Sequence, residues 1–442
     1  MKIRGLLIAT VVFVILAGIL YWSDHRKSSA EAAKPAADAA PAILKLDENS
    51  ITKLELKKKD APPIQLSKTG SDWKITEPKS FAADRSTVTN MVSNVASLNS
   101  DRLVDEKSSD LARYGLGPPA FELDVTEKDN KSQRLLLGDE TPTGNAVYAA
   151  LAGDRRVFTI PEYIRNSIEK SLNDLRDKRL LTVSPDKLSR LVITGKNGDI
   201  EFGRNKDEWQ ILKPKPMRAD STAVGELVTK LADARMDLSG PDAAKEADSA
   251  FAHGTSVATA KLTDESSTED LQIRKNKDSY YAKSSVVEGA YKIGSALADS
   301  LNKKVEDFRN KNLFDFGYAT PNKVEIQGGP KSYAFVKGGQ DWWDNGKRMD
   351  EASVQSLISN LRDLSAEKFT DSGFTTPEIQ TTVTFNDGKR TEKVLISKSG
   401  STFVAKREND PALYQLAAPS VDELLKSLDG IKLAAPASQP AR

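Results

Sequence analysis

Trp73-Lys74-Ile75-Thr76-Glu77-Pro78, then Asp84 and an apolar series at Val88, Met91, Val95 and Leu98, is written three times along the chain. Trp209, Pro214, Asp220, Val224, Leu227, Leu231 and Ala234 keep every spacing of that first copy. Trp342, Asp350, Val354, Leu357, Leu361 and Leu364 keep them again, except that the proline and three residues between Trp and Asp are missing. Apolar residues at steps of three and four form one stripe of a helix, so each copy carries an amphipathic helix with one buried face. Asp84, Asp220 and Asp350 stand just ahead of the stripe, where a carboxylate accepts from the free N–H groups of the first turn and suits the positive helix end.

Upstream of each Trp lie short β-type runs: Ile51–Leu56; Leu191–Ile193 with Asp199–Phe202; Lys323–Ile326 with Ser332–Val336. Asn197-Gly198 is the pair that a tight hairpin favours, both residues taking positive φ. Each copy therefore predicts a hairpin, a Trp-bearing strand and a helix laid across the sheet. Regularly placed Trp73, Trp209 and Trp342 could serve as aromatic platforms for sugars. One Trp per unit is also what clamping a helix to a sheet needs, and that core role is the preferred reading.

Trp73 to Trp209 is 136 residues and Trp209 to Trp342 is 133, in a chain of 442. The period supports three repeats of about 135 residues, each large enough for its own core. Lys and Arg number 64 against 63 Asp and Glu, a net charge of +1. That balance offers no field to hold a nucleic-acid backbone, so no nucleic-acid partner is expected. The absence of cysteine removes disulfides, thiolate metal sites and a cysteine nucleophile.

Lys2 and Arg4 precede an uncharged run from Leu6 to Trp22. Seventeen helical residues rise about 26 Å, close to the thickness of a hydrocarbon core, and Tyr21-Trp22 fits the interfacial level. A cleaved signal peptide would need a shorter apolar run with a small-residue site directly after it, whereas the first such site lies near Ala30–Ala32. The expectation is one uncleaved N-terminal transmembrane helix over residues 1–24, with the bulk of the chain in the periplasm. Residues 25–42 form an Ala/Pro-rich tether. The repeats occupy 43–183, 184–316 and 317–433, and 434–442 is a disordered tail.

Each repeat has a second half of strands followed by a helix, as in Phe121–Thr126, Arg134–Leu137, Val147–Leu151 and Val157–Ile160, then Ile164, Ile168, Leu172 and Leu175. Each repeat therefore resembles a duplication in itself. The fold class is α+β, with antiparallel strands and hairpins backed by amphipathic helices. Arg176-Asp177-Lys178-Arg179-Leu180-Leu181 lines up with Arg309-Asn310-Lys311-Asn312-Leu313-Phe314, and both arginines precede the next Trp by 33 residues. A flexible linker need not preserve length and composition, so neighbouring repeats are expected to pack on each other. Arg176 and Arg309 are candidate joint or ligand residues, or simply cations at a helix C-terminus.

Chemistry is sparse. The two histidines are His25 and His253, which rules out a histidine triad except around His253, and no metal motif or phosphate loop is present. Gly115-Leu116-Gly117 is followed by Pro118 and Pro119, which deny the helix start a dinucleotide needs. Ser50, Ser167 and Ser300 each precede a lysine by three residues, the spacing of penicillin-binding enzymes, but no Ser-Asp-Asn accompanies them. No cofactor, metal or catalytic residue is expected. A hydrolase with paired carboxylates is the weakest of the readings.

The anchor, the Trp-x-Ile…Pro…Ala-Asp…Val pattern, Tyr114-Gly115-Leu116 and Leu175-Arg176-Asp177-Lys178-Arg179-Leu180-Leu181 together resemble a family of bacterial envelope proteins carrying a domain of unknown function. The resemblance runs from about Ile43 to Leu433. Members are often encoded beside gliding-motility-type ABC transporters, which implies an inner-membrane scaffold or interaction subunit of an ABC export system. The third repeat departs from the pattern, having Phe374-Thr375 in place of Tyr114-Gly115. The alternative function is a glycan- or peptidoglycan-binding module using exposed aromatics such as Trp343, Tyr280 and Tyr281. Neighbouring strand residues face opposite ways, so one of Trp342 and Trp343 should point outward.

Overall fold

The computed structural model describes residues 41–206, 208–240 and 243–435. The expected membrane anchor, residues 25–40 of the tether and residues 436–442 of the tail lie outside them. Among the described residues no helix is long and apolar enough to cross a membrane. The chain divides into two compact units, one ending at Lys178 and the other starting at Arg179.

The first unit is built on one sheet of nine strands: β1 (Ile51–Lys58), β2 (Ile64–Thr69), β3 (Asp72–Glu77), β4 (Phe81–Ala82), β5 (Arg102–Asp105), β6 (Phe121–Glu127), β7 (Ser132–Glu140), β8 (Ala146–Leu151) and β9 (Val157–Pro161). Their order is β4-β3-β2-β1-β6-β7-β8-β9-β5. Two four-strand meanders thus run outward from an antiparallel β1–β6 seam. Helix α1 (Arg85–Ala96) follows the first meander; α2 (Glu162–Ile168) and α3 (Leu172–Leu175) follow the second. The same topology on both sides of the seam gives the repeat the form of a duplication.

The second unit repeats this plan twice. Its first sheet contains β10 (Arg190–Gly195), β11 (Gly198–Asn205), β12 (Glu208–Lys213), β13 (Met217–Arg218), β14 (Thr255–Thr263), β15 (Thr268–Asn276), β16 (Ser279–Ser284) and β17 (Ala290–Ile293). With it go α4 (Ser221–Ala232), α5 (Ala243–Ala252) and α6 (Ser295–Leu301). The last sheet contains β18 (Lys323–Gly328), β19 (Lys331–Gly338), β20 (Asp341–Asp344), β21 (Lys347–Arg348), β22 (Lys368–Thr370), β23 (Ile379–Phe385), β24 (Arg390–Ser399), β25 (Thr402–Arg407) and β26 (Leu413–Leu416). Helices α7 (Glu351–Asp363) and α8 (Ala418–Asp429) complete it. The three sheets are three copies of one unit, and every strand pair among the described residues is antiparallel.

In each copy the two main helices lie together on one sheet face and close a core. Leu54, Leu66 and Ile75 meet Val88, Met91 and Val95 in the first; Phe202 and Ile211 meet Val224, Leu227 and Leu231 in the second; Val324 and Phe335 meet Val354, Leu357 and Val421 in the third. Trp73, Trp209 and Trp342 belong to these cores, at 9%, 6% and 0% exposure. Leu180, Leu181 and Val183 pack in the second core, although a boundary after residue 183 would assign them to the first repeat. Leu313, Phe314 and Phe316 likewise pack in the third core and not in the repeat drawn as 184–316.

Several local expectations are corrected. The Ile164–Leu175 stripe is not one helix: it breaks after Ile168, because Ser171 caps a new turn and exchanges bonds with Asp174 in a capping box. At Asn197-Gly198 only Gly198 takes positive φ, 91°, so the bend between β10 and β11 is not the twin positive-φ turn. That turn instead appears at Asn345-Gly346, φ 48° and 71°, where it joins β20 to β21 directly. It accounts for the missing residues of the third copy, since Pro78 and Pro214, both cis, occupy the longer loop of the other two. Helix α5 was not legible, because its only buried apolar residues are Ala247 and Phe251. The tether is not free at its end: Pro41 accepts from Ser100, and Ala42 bridges to Asn99. At the other end Ala434 still donates to Arg348 at 3.0 Å.

Candidate functional site

The residues that recur in sequence recur in geometry. Asp84 accepts from Thr87 N–H at 2.8 Å, Asp220 from Thr222 at 2.9 Å and Ala223 at 3.1 Å, and Asp350 from Ser353 at 2.8 Å, so each caps its helix. Burial works against ionisation of Asp84, but bonds from Thr87 and Ser86 prevail and hold its carboxyl below the usual range. A feature not noticed in the sequence accompanies each tryptophan. Lys68, Arg204 and Lys337 each precede a Trp by five residues and lie directly across the hairpin from it. Their cationic groups sit 5.9, 5.8 and 5.2 Å from the indoles of Trp73, Trp209 and Trp342.

Trp343 projects from the opposite face of β20 to Trp342 and is 39% exposed. Its indole lies against Gly338, so close that a side chain there would meet the ring at 3.1 Å. Tyr280 and Tyr281 are half-buried. The guanidinium of Arg176 lies 3.9 Å over the ring of Phe81, within the same repeat. That of Arg309 lies 3.3 Å over Phe369, in the following repeat. The two aligned arginines therefore rest on non-equivalent rings.

The richest constellation stands at the joint between the last two repeats. Phe308 belongs to the second core and Leu313 to the third. The four residues between them run between backbone partners on both sides. Asp220 N–H donates to Phe308 O at 2.8 Å and Asn310 N–H to Arg218 O at 3.0 Å; Leu313 N–H donates to Leu364 O at 3.0 Å and Ala366 N–H to Lys311 O at 2.9 Å. Beside this segment Asp315 pairs with Arg218, with Arg407 at 3.1 Å and with Arg390 at 3.4 Å. Glu392, at 7% exposure, accepts from Asp315 N–H at 2.7 Å and pairs with Arg390 at 3.2 Å and Arg407 at 3.3 Å. Arg218 also reaches the hydroxyl of Tyr414 at 3.0 Å, which donates to Asp410 at 2.6 Å. Burial pushes the Tyr414 phenol up to about 12, with Asp410 adding to the rise and Arg218 opposing it.

Sequence reasoning missed this network, because its members come from five separate segments. One signal was available. Glu269 receives Thr182 N–H at 2.7 Å just as Glu392 receives that of Asp315, so a buried glutamate in a second-meander strand marks both stretches.

The remaining motifs fall apart spatially. Ser300 is buried on α6, its hydroxyl held by Ala296 O and by Lys230, while Lys303 lies over Phe308. His253 Nδ1 faces Ser249 O at 2.8 Å. Among the described residues no group of His, Cys, Asp and Glu is placed to hold a metal.

The fold and this joint define a class: a tandem-repeat protein of helix-backed antiparallel sheets, the last two joined by a short segment that is hydrogen-bonded on both sides. The chain belongs to the family described as Domain of unknown function (DUF4340), which matches residues 73–252 and 209–382. Both matches open on a core tryptophan, Trp73 and Trp209, and overlap across 209–252, so each match takes in most of one repeat and the front of the next. Neither the curated proteins nor the solved structures compared with the chain contain a match.

Proposed function

We propose that this is a non-catalytic interaction or scaffold protein of the bacterial envelope, tethered to the inner membrane by Leu6–Trp22, that serves as an accessory subunit of a gliding-motility-type ABC export system. The observation that carries the reading is the second joint. There four residues separate one core from the next, with paired backbone on either side and a partly buried ion-pair network beside them. Such a connection suits a subunit that must hold two binding faces at a fixed separation. Support for the membrane and export part comes from the N-terminal apolar run and from the envelope-family resemblance of the sequence. Affinity purification of the full chain in mild detergent tests it. Transporter subunits should co-purify and should be lost when residues 1–24 are removed; repeated recovery of the chain without them would refute the assignment.

A second reading is favoured by one observation. Trp343 at 39% and Val336 at 46% exposure are directly paired across β19 and β20, an apolar spot suited to stacking on cell-wall glycan. Retention of the protein on isolated cell wall should then fall with Trp343→Ala, and unchanged retention would remove this reading.

A further inference from the structure

The second joint also forms a cleft of about 810 Å³, within the size range of small-ligand sites. It is lined by Gln210 of β12 and Thr222 of α4 from the second repeat, by Asn310 of the joint, and by Asp363 and Tyr318 of the third. Arg218, Arg390 and Arg407 line its floor with Asp315.

Charge decides what such a cleft can take. Four arginines line it, the three of the floor and Arg362, and four carboxylates, Glu208, Asp220, Asp315 and Asp363, balance them. An anion would have to draw Asp315 away from three guanidiniums, leaving an ion in a partly buried site unpaired, which is costly. A cation would meet the same guanidiniums directly. A neutral ligand carrying many hydroxyls meets neither obstacle, since each hydroxyl both donates and accepts and the walls supply carboxylate, amide and guanidinium partners together.

The rim adds a surface of the right kind. Tyr318 is 95% exposed, the most exposed large hydrophobic residue among those described. It is not left to wander: Arg362 donates to Gly317 O and lies 5.6 Å from the Tyr318 ring and 5.7 Å from Phe316. An aromatic face held at the mouth of a hydrogen-bonding cleft is what the apolar face of a sugar ring packs against.

We infer that the cleft between the second and third repeats binds an uncharged oligosaccharide, with Tyr318 as stacking platform and Gln210, Asn310 and Asp363 as hydroxyl partners. This inference does not rest on the scaffold reading, and it is separate from the spot around Trp343.

The test is calorimetric titration of the full chain, in a detergent without a sugar headgroup, with trimers of N-acetylglucosamine, glucose and mannose, and with inorganic phosphate. At least one trimer should bind and phosphate should not. Tyr318→Ala should weaken that binding about tenfold or more, about 1.4 kcal/mol, while Tyr318→Phe keeps most of it. Tyr318 is solvent-exposed, so an unchanged thermal midpoint will show that the variant folds. Asp363→Asn gives an independent second reading at a hydroxyl partner. Silence with all three trimers, heat from phosphate alone, or binding indifferent to both Tyr318→Ala and Asp363→Asn would overturn the inference. Loss of transporter co-purification would leave it standing.

Discussion

Asp220 donates its backbone N–H to Phe308 O at 2.8 Å while its carboxylate caps α4. Asp84 does the same to Leu175 O at 2.8 Å and Asp350 to Lys432 O at 2.9 Å. In each repeat one aspartate therefore ties the end of the repeat to the start of its first long helix. Flanking bridges from Ala83 to Arg176, Ala219 to Arg309 and Met349 to Leu433 extend the tie.

The two roles of that aspartate separate on mutation. Asp84→Ala, Asp220→Ala and Asp350→Ala should each cost about 1 kcal/mol from the lost cap, because the backbone tie survives. Urea denaturation should give similar losses at all three sites. A much larger loss at any one would mean that the side chain does more there than cap.

Asp315 pairs with three guanidiniums at once. Asp315→Ala should destabilise the second unit by about 1–3 kcal/mol, the cost of leaving partly buried guanidiniums without their partner. Limited proteolysis should then open the chain near the joint, while Asp278→Ala, at an exposed turn, leaves the pattern unchanged. Equal behaviour of the two variants would deny the network a structural role.

Tyr414 titrates abnormally high, at about 12 against an ordinary 10, because it is buried beside Asp410. Its neutral form is the one that the fold favours. The corresponding stability is complete below pH 10 and drains away as pH rises toward 12. Ultraviolet titration should show a late-ionising phenol that disappears in Tyr414→Phe, and the alkaline fall in stability should become shallower.

The first unit should be sensitive to acid. Asp124 is burdened by burial but held below the usual carboxylate range by Arg134 and Lys57, and Glu169 in the same way by Lys58 and Arg165. Depressed values give stability that is present above the unfolded pKa and lost as pH falls through the folded one. Thermal midpoints should therefore drop below about pH 4, and Asp124→Asn should flatten that limb of the curve. An unaltered acid limb in Asp124→Asn would contradict the assignment.

Adjacent tryptophans should respond in opposite ways. Trp342→Ala empties a fully buried site and should cost about 3–5 kcal/mol. Trp343→Ala should cost under about 1 kcal/mol, since the ring covers only Gly338 and part of the sheet surface. Chemical denaturation of the two variants decides the matter.

What could be read from the chain follows periodicity. Val88, Met91 and Val95 bury one helix face because a helix returns every 3.6 residues, and this needs no knowledge of distant partners. Trp73, Trp209 and Trp342 reported the number of repeats for the same reason. Local competition blurred the detail: Ser171 broke a helix that its apolar stripe would have continued, and the Asn345-Gly346 turn replaced a proline loop.

The joint was out of reach because its partners are distant in sequence. Arg218 and Asp315 are 97 residues apart and Arg407 lies a further 92 beyond, and no local pattern marks a charge that will be buried against another repeat. Recurrence along the chain gave the repeat count, and local spacing predicted the helix caps and favoured a core role for the tryptophans, since those depend on neighbours a few positions away. Only tertiary packing decided which arginines would meet Asp315, where a cleft would open and that Tyr318 would stand at its mouth, because ion pairs and cavities arise where remote segments converge.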